Sequence, residues 1–375
     1  MSCKRFLSFF LLIFTLSAVS VPAFASDAEP GAEHKGFNAS EVIFGHISDA
    51  HEWHFFTIEH EGGEPTHVTL PLPVILYSPE NGLSMFSSSK FGEEGHREVY
   101  NGYTLNEKNK VVAVDAGGNI DEKAKVYDFS ITKNVLSMLI SVVLLLLIMT
   151  RVAAKYKKNA VMTAPSGFQN ALEPVITFVR DEVAKPNLGH KYMKFMPLLL
   201  TVFFFIWINN LLGLLPGGAN FTGNIAVTGC LAIISFLVMV FNGNKHFWGH
   251  LFNPPGVPLG IKFILVPIEI ISLFIKPIAL MIRLFANILA GHIIILSIIS
   301  MIFIFGAISH VAGWGFSIVS LAFSIFMFFL ELLVGAIQAF IFTNLTAVFV
   351  GQAVEEGHHH EDGQDYHVSE NEIIA

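Results

Sequence analysis

Three observations predict an all-α polytopic membrane protein. Of the 375 residues, 53% are hydrophobic and only 14% are charged, against about 25% charged in a soluble domain. Mean hydropathy is +0.59. The apolar residues are gathered into runs long enough to cross a bilayer, which needs about 20 consecutive residues. Five membrane-embedded helices are expected, with an amphipathic surface helix and a small, partly β N-terminal extension.

The chain begins "MSCKRFLSFFLLIFTLSAVSVPAFA". Lys4 and Arg5, a short apolar core and the Ala23-Phe24-Ala25 triplet read as a signal peptide over 1–25, cleaved after Ala25. Cys3 precedes the core, and Cys230 is the one other cysteine. Neither a disulfide framework nor a thiol metal cluster can then be built.

Residues 26–128 are polar and acidic and are read as an extension outside the membrane. "HVTLPLPVILYS" and "KVYDFSIT" predict strands, and "PENG" and "DAGGN" predict turns. "HEWH" (His51 to His54) is not the HExxH spacing that sets two histidines one helical turn apart, so no metal site is assigned there.

The membrane domain is expected over 129–353. Its spans are Val135–Thr150, about Phe195–Leu215, about Asn224–Phe241, Ile261–Ile308 and about Phe316–Val350. Between the first two, "FQNALEPVITFVRDEVAKPNLGHKYMK" has apolar residues at helical spacing with charges between them, an amphipathic surface helix. "NGNKHFWGHLFNPPGVPLG" is expected to be a loop, and another connection is expected near Gly313 to Gly315. The 48-residue stretch would be about 70 Å long as a straight helix, so it must tilt, bend or break. Residues 354–375 form an acidic tail; its three adjacent histidines read as solvated.

Lys and Arg follow span one (Arg151, Lys155, Lys157, Lys158) and precede span two (Lys191, Lys194) and span four (Lys245, Lys262). The other connections carry neither. The positive-inside rule then places the N-terminus outside and the C-terminus inside, as a cleaved signal peptide also requires.

Four charges interrupt the fourth span at intervals of seven: Lys262, Glu269, Lys276 and Arg283. Seven residues turn through nearly two circles, so the four form one slowly winding stripe of about 31 Å. Asn287 lies near the same face, whereas His292, nine after Arg283, points nearly the opposite way. Glu331 and Gln338 share a face of the last helix. Lys262 is expected to snorkel to the interface. Arg283 lies too deep for that, and arginine does not escape by deprotonation. It must face water, a counter-charge or both. A salt bridge to Glu331 is the structural alternative; the functional one makes Glu331 and His292 proton-exchanging groups in a wet cavity.

Other function classes lack their signatures. No basic patch is large enough for nucleic acid. There is no GxxxxGK[ST] phosphate loop, no internal repeat of the antiporter kind, and only His292 and His310 lie in or near apolar spans, too few to argue for haem. No cofactor is assigned.

The segments "SLFIKP" (Ser272 to Pro277), "RLFANILAGH" (Arg283 to His292) and "IQAFIFTNLTAVFV" (Ile337 to Val350) resemble the signatures of subunit a of F-type ATP synthase; so, in order, do "FQNALEPVITFV" and "NNLLGLLPG". The likeness runs from about residue 130 to 355. It implies two long tilted C-terminal helices wrapped against a rotating c-ring, a peripheral stalk subunit b as a further partner, and a bacterial inner membrane location. It implies that Arg283 is the stator arginine facing the ring carboxylate, with Asn287 and Gln338 beside it. Glu269 matches an acid of the channel region, and Lys276 falls on the same stripe. His292 and Glu331 match two channel positions, with acid and histidine exchanged relative to well-studied relatives; keeping one of each implies that the two side chains are close. Ala286 stands where glycine is common. The implied path for protons from outside is lined by His292 and Glu331, with Glu269 assigned to it as well.

Overall fold

The computed structural model describes residues 48–58, 66–79, 82–92, 98–106, 109–115, 119–121, 124–159, 167–215, 218 and 221–355, together with residues 39, 43, 45 and 47. The expected signal peptide and the acidic tail beyond residue 355 lie outside the described residues.

The polar extension forms short antiparallel sheets. Strands β1 (Glu52–Ile58) and β2 (Thr66–Pro71) pair as a hairpin. Strand β3 (Pro73–Ser78) lies between β4 (Gly82–Ser87) and β7 (Tyr127–Asp128), and β5 (Tyr103–Leu105) pairs with β6 (Val111–Ala113). In β3, Val74 and Leu76 alternate inward to a small core with Phe91 and Tyr103. The β3–β4 turn uses Gly82 at φ +70°, a backbone region that glycine enters at little cost. Strands β1, β4, β5 and β6 were not expected. Strands β5 and β6 have three residues each, and β1 (EWHFFTI) and β4 (GLSMFS) lack a clean apolar–polar alternation.

A short link joins β7 to α1 (Lys133–Asn159). There follow α2 (Phe168–Phe178), a π-turn over Val179–Ala184, α3 (Lys185–Leu188) and α4 (Tyr192–Gly213), then α5 (Ile225–Phe241), α6 (Lys245–Phe252), α7 (Leu259–Ile308) and α8 (His310–Val354). Among the described residues, five spans are long and apolar enough to cross a membrane: 133–157, 169–213, 225–242, 259–308 and 310–354.

The amphipathic segment turns its apolar face into the bundle. Val179, Val183 and Ala184 are fully buried, while Asp181 pairs outside with Arg180 and Lys185. Helix α4 runs antiparallel to the last part of α8. Lys191 Nζ donates to Val354 O at 3.0 Å at one end, and Asn210 Nδ2 to Gly335 O at 3.0 Å at the other, at equal spacing on both helices. Between these points α8 presents Ala339, Thr343, Ala347 and Gly351, all buried, small residues that let backbones approach. Helix α7 adds Leu280, Leu284 and Ile288, one face at four-residue intervals.

Two expectations are corrected. The segment after Asn244 is not all loop: Lys245–Phe252 is helical, and its aromatics Phe247 and Trp248 pack on the core. The last connection falls at Ser309, in extended conformation (φ −162°, ψ 137°), and Gly313 lies inside α8. A Cβ on Gly313 would stand 2.8 Å from Gly306 Cα, so these glycines bring the hairpin helices together rather than breaking them. Helix α7 stays continuous through Pro267 and Pro277.

Basic residues mark one end of the bundle. Lys191 reaches the end of α8, Lys194 bonds Asn242 at 3.0 Å, Asn244 bonds Ala353 O and Val354 O, and Lys262 bonds Asn253. We call this the basic end and the other the far end.

Candidate functional site

Arg283 is exposed on α7, with Asn287 exposed one turn further on. Among the described residues, no hydrogen bond or ion pair joins Arg283 to its own chain. Glu331, the structural alternative as its partner, is engaged elsewhere.

Toward the far end, His292 Nδ1 lies 3.0 Å from Glu331 Oε1, and the two side chains are only 13% and 9% exposed. The exchanged acid and histidine therefore meet across the α7–α8 seam. Gly291 makes this possible, since a Cβ there would stand 2.8 Å from Glu331 Oε1 and 2.9 Å from its Cδ. Glu331 Oε2 is buried with no hydrogen-bond partner among the described residues. The pair borders a gap of about 10 Å³ shared with Asn210, Asn287 and Gly335, about the least that holds one water molecule. Asn210 is fixed by Gly335 O and by the Thr222 hydroxyl, which donates to it at 3.1 Å.

Toward the basic end, a cavity of about 540 Å³ is lined by polar groups that include Glu269, Ser272, Lys276 and Gln352, with His246 and His250 contributed by α6. Lys276 Nζ donates to Gln352 Oε1 at 3.0 Å and stands 5.4 Å from the Phe349 ring centre. Glu269 Oε2 is buried without a partner. Glu269 thus lines this cavity and not the His292–Glu331 gap; the 23 residues between Glu269 and His292 correspond to about 34 Å of helix. Gln338 is buried on α8 between the two regions.

Asn210, Gly291, Gly335, His246 and His250 were not expected at the site. Gly291 and Gly335 act through the space they leave, which a single sequence does not display. The α6 histidines were hidden by the Gly- and Pro-rich surroundings that read as loop.

A helical membrane bundle whose unpaired arginine stands between two separate polar pockets is an ion-handling subunit with an open face for a partner. Comparison with known proteins makes this specific. Residues 135–351 match the family described as ATP synthase A chain. Among similar proteins, the ATP synthase subunit a of Chloroherpeton thalassium is 45% identical over 246 residues, covering 64% of this chain and 71% of that protein. "ATP synthase subunit a 2" of Chlorobaculum tepidum is also 45% identical over 246 residues (64% and 67%). The subunit of Myxococcus xanthus is 39% identical over 247 residues (64% and 78%). The chain belongs to the ATP synthase subunit a family, the proton-translocating component of that enzyme's membrane sector. Residues 42–129 match a separate family described as a domain of unknown function (DUF8433).

Proposed function

We propose that the chain forms two offset half-channels against a c-ring, with Arg283 as the barrier between them. The observation that carries this is the position of Arg283. It is exposed and unpaired within its chain, about 13 Å along α7 from His292 on one side and about 10 Å from Lys276 on the other.

Protons from outside reach the His292–Glu331 pair and neutralise a ring carboxylate, which can then turn through lipid. After nearly a full rotation that carboxylate meets Arg283, whose charge favours its ionised form. The released proton leaves through the wide cavity at the basic end. Arg283 also repels a proton passing straight through, so flow cannot bypass rotation. Each proton releases about 2.3 kcal/mol per 100 mV of membrane potential. Asn287 and Gln338 flank the arginine, and Glu269 and Lys276 belong to the exit side.

In this reading the basic end faces the cytoplasm of a bacterial inner membrane, as the distribution of Lys and Arg requires. Residues 1–25 are removed, 26–128 lie in the periplasm, and the tail beyond residue 353 is cytoplasmic. The peripheral stalk subunit b holds the bundle against the turning ring.

Inverted membrane vesicles containing the assembled enzyme test the proposal. Arg283→Ala is expected to abolish ATP-driven acidification, followed by quenching of a pH-sensitive dye. Normal acidification in that variant would refute the role.

A further inference from the structure

The three-stranded sheet of the N-terminal extension has a face that no described residue covers. Its strand register sets six side chains in two rows: Met85, Ile75 and Phe129 in one, Leu83, Tyr77 and Tyr127 in the other. The opposite face supplies Val74 and Leu76 to the core. An antiparallel sheet with one solvated face normally alternates apolar and polar residues. Here both faces are apolar. Met85 and Phe129 are each 66% exposed, Leu83 64%, Tyr127 50% and Tyr77 46%. A contiguous patch of this kind marks an interaction surface.

Its attachment decides what covers it. Lys133, the first residue of α1, is only four positions after Phe129, a reach of at most about 14 Å. The link is tied down at several points. Ile131 N–H donates to Pro73 O at 3.1 Å, Lys133 N–H to Ala50 O at 2.9 Å, and Asn134 N–H to Asp49 Oδ1 at 3.2 Å. Two otherwise orphaned amides of the first turn of α1 are thereby satisfied by the segment leading into β1. The sheet is thus fixed to the mouth of a membrane span whose own flank exposes Leu139, Ile140 and Val143. The apolar face of the sheet lies within a few residues, along the chain, of the exposed apolar flank of α1. Its two tyrosines are of the kind that concentrates at the membrane–water boundary, and its six side chains include no charge.

We propose that this sheet face seats in the headgroup region of the outer leaflet, with lipid as its partner. The N-terminal unit then lies on the membrane beside α1 instead of standing clear of it. This rests on the membrane-spanning character of the chain and not on the proposed proton path.

Site-directed spin labelling of the assembled enzyme in lipid vesicles tests the seat. In a background with Cys230→Ser, labels are placed at Leu83→Cys and Met85→Cys, with Lys110→Cys, exposed beside β6, as the reference. Relaxation is measured with oxygen, which partitions into lipid, and with a water-soluble nickel chelate. The oxygen-to-nickel ratio is expected to be several-fold higher at 83 and 85 than at 110. Equal ratios would place the face in water and overturn the proposal. Shielding from both reagents would mean a protein partner and overturn it as well. Tyr127→Trp gives a second readout that needs no label: quenching by lipids brominated near the headgroup beyond that of the unsubstituted enzyme, whose chain already holds four tryptophans, supports the seat, and no added quenching speaks against it.

Discussion

A histidine–carboxylate pair among the N-terminal strands and another in the membrane helices are built differently. In the N-terminal unit, His51 Nε2 meets Asp128 Oδ2 at 2.7 Å and His51 Nδ1 meets Asn109 O at 3.1 Å, so both ring nitrogens face acceptors. Asp128 Oδ1 accepts from Ser130 N–H at 2.9 Å. Every polar atom of that pair is engaged. In the membrane, His292 and Glu331 share a single contact, and Glu331 Oε2 is buried with none. Leaving such an atom unpaired costs about 1–3 kcal/mol. A satisfied pair holds structure together. In the proposed proton path, a half-satisfied pair beside a water-sized gap would leave a position where a proton arrives or leaves.

After the loss expected for Arg283→Ala, the largest expected effect tests the membrane pair. His292→Ala and Glu331→Ala are each expected to lower ATP-driven proton pumping by about 10²-fold, the scale at which a positioned proton-transfer group contributes. Exchanging the two residues should retain more transport than either single change, because the two side chains already meet at 3.0 Å. If the exchange is no better than the single variants, the pair does not act as a unit.

A smaller effect isolates geometry from chemistry. Gly291→Ala leaves both titratable groups in place but adds a carbon 2.8 Å from Glu331 Oε1. The flexible carboxylate end yields, and its contact with His292 is lost. Pumping should fall by about tenfold, since misplacement of about 1 Å is costly for a positioned group. Assembly should be normal. Ser272→Ala, in the roomy cavity at the basic end, should change pumping by less than about twofold, as substitutions away from close packing are mild. Equal effects of the two changes would erase the distinction between a tight passage and a wide one.

The contrast also shows what a sequence displays. Arg283 was legible because a charge in a long apolar run has few physical excuses, and the heptad spacing of Lys262, Glu269 and Lys276 placed them on its stripe. The meeting of His292 and Glu331 was legible only through the resemblance, because they come from different helices. The assignment of Glu269 to the His292 side failed for the same reason. Periodicity fixes a face of one helix, whereas the depth of Glu269 relative to α6 and the end of α8 is set by packing. Five spans were legible from hydropathy. The turn at Ser309 was not, because Gly313 looked like a breaker and instead serves a close helix crossing against Gly306.

The smallest effect concerns the pair outside the membrane. Burial raises the Asp128 carboxyl, but hydrogen bonds from His51 and Ser130 outweigh it and hold the group below its ordinary value of 3.8. The unfolded chain therefore takes up the proton first as pH falls. The stabilisation is fully present above pH 3.8 and is lost as pH drops through the lowered folded-state value. Because the Asp128 side chain is a third exposed, solvent screens it and the effect is modest. Hydrogen exchange at the β7 amides in the assembled enzyme should be unaffected by pH-dependent destabilisation at neutral pH and should show local loosening only below pH 3.8, after correction for intrinsic exchange. Asp128→Asn should loosen β7 at neutral pH, remove that acid dependence and leave proton pumping unchanged. A pumping defect in Asp128→Asn would show that the outer pair also serves transport, and the division of labour between the two pairs would fail.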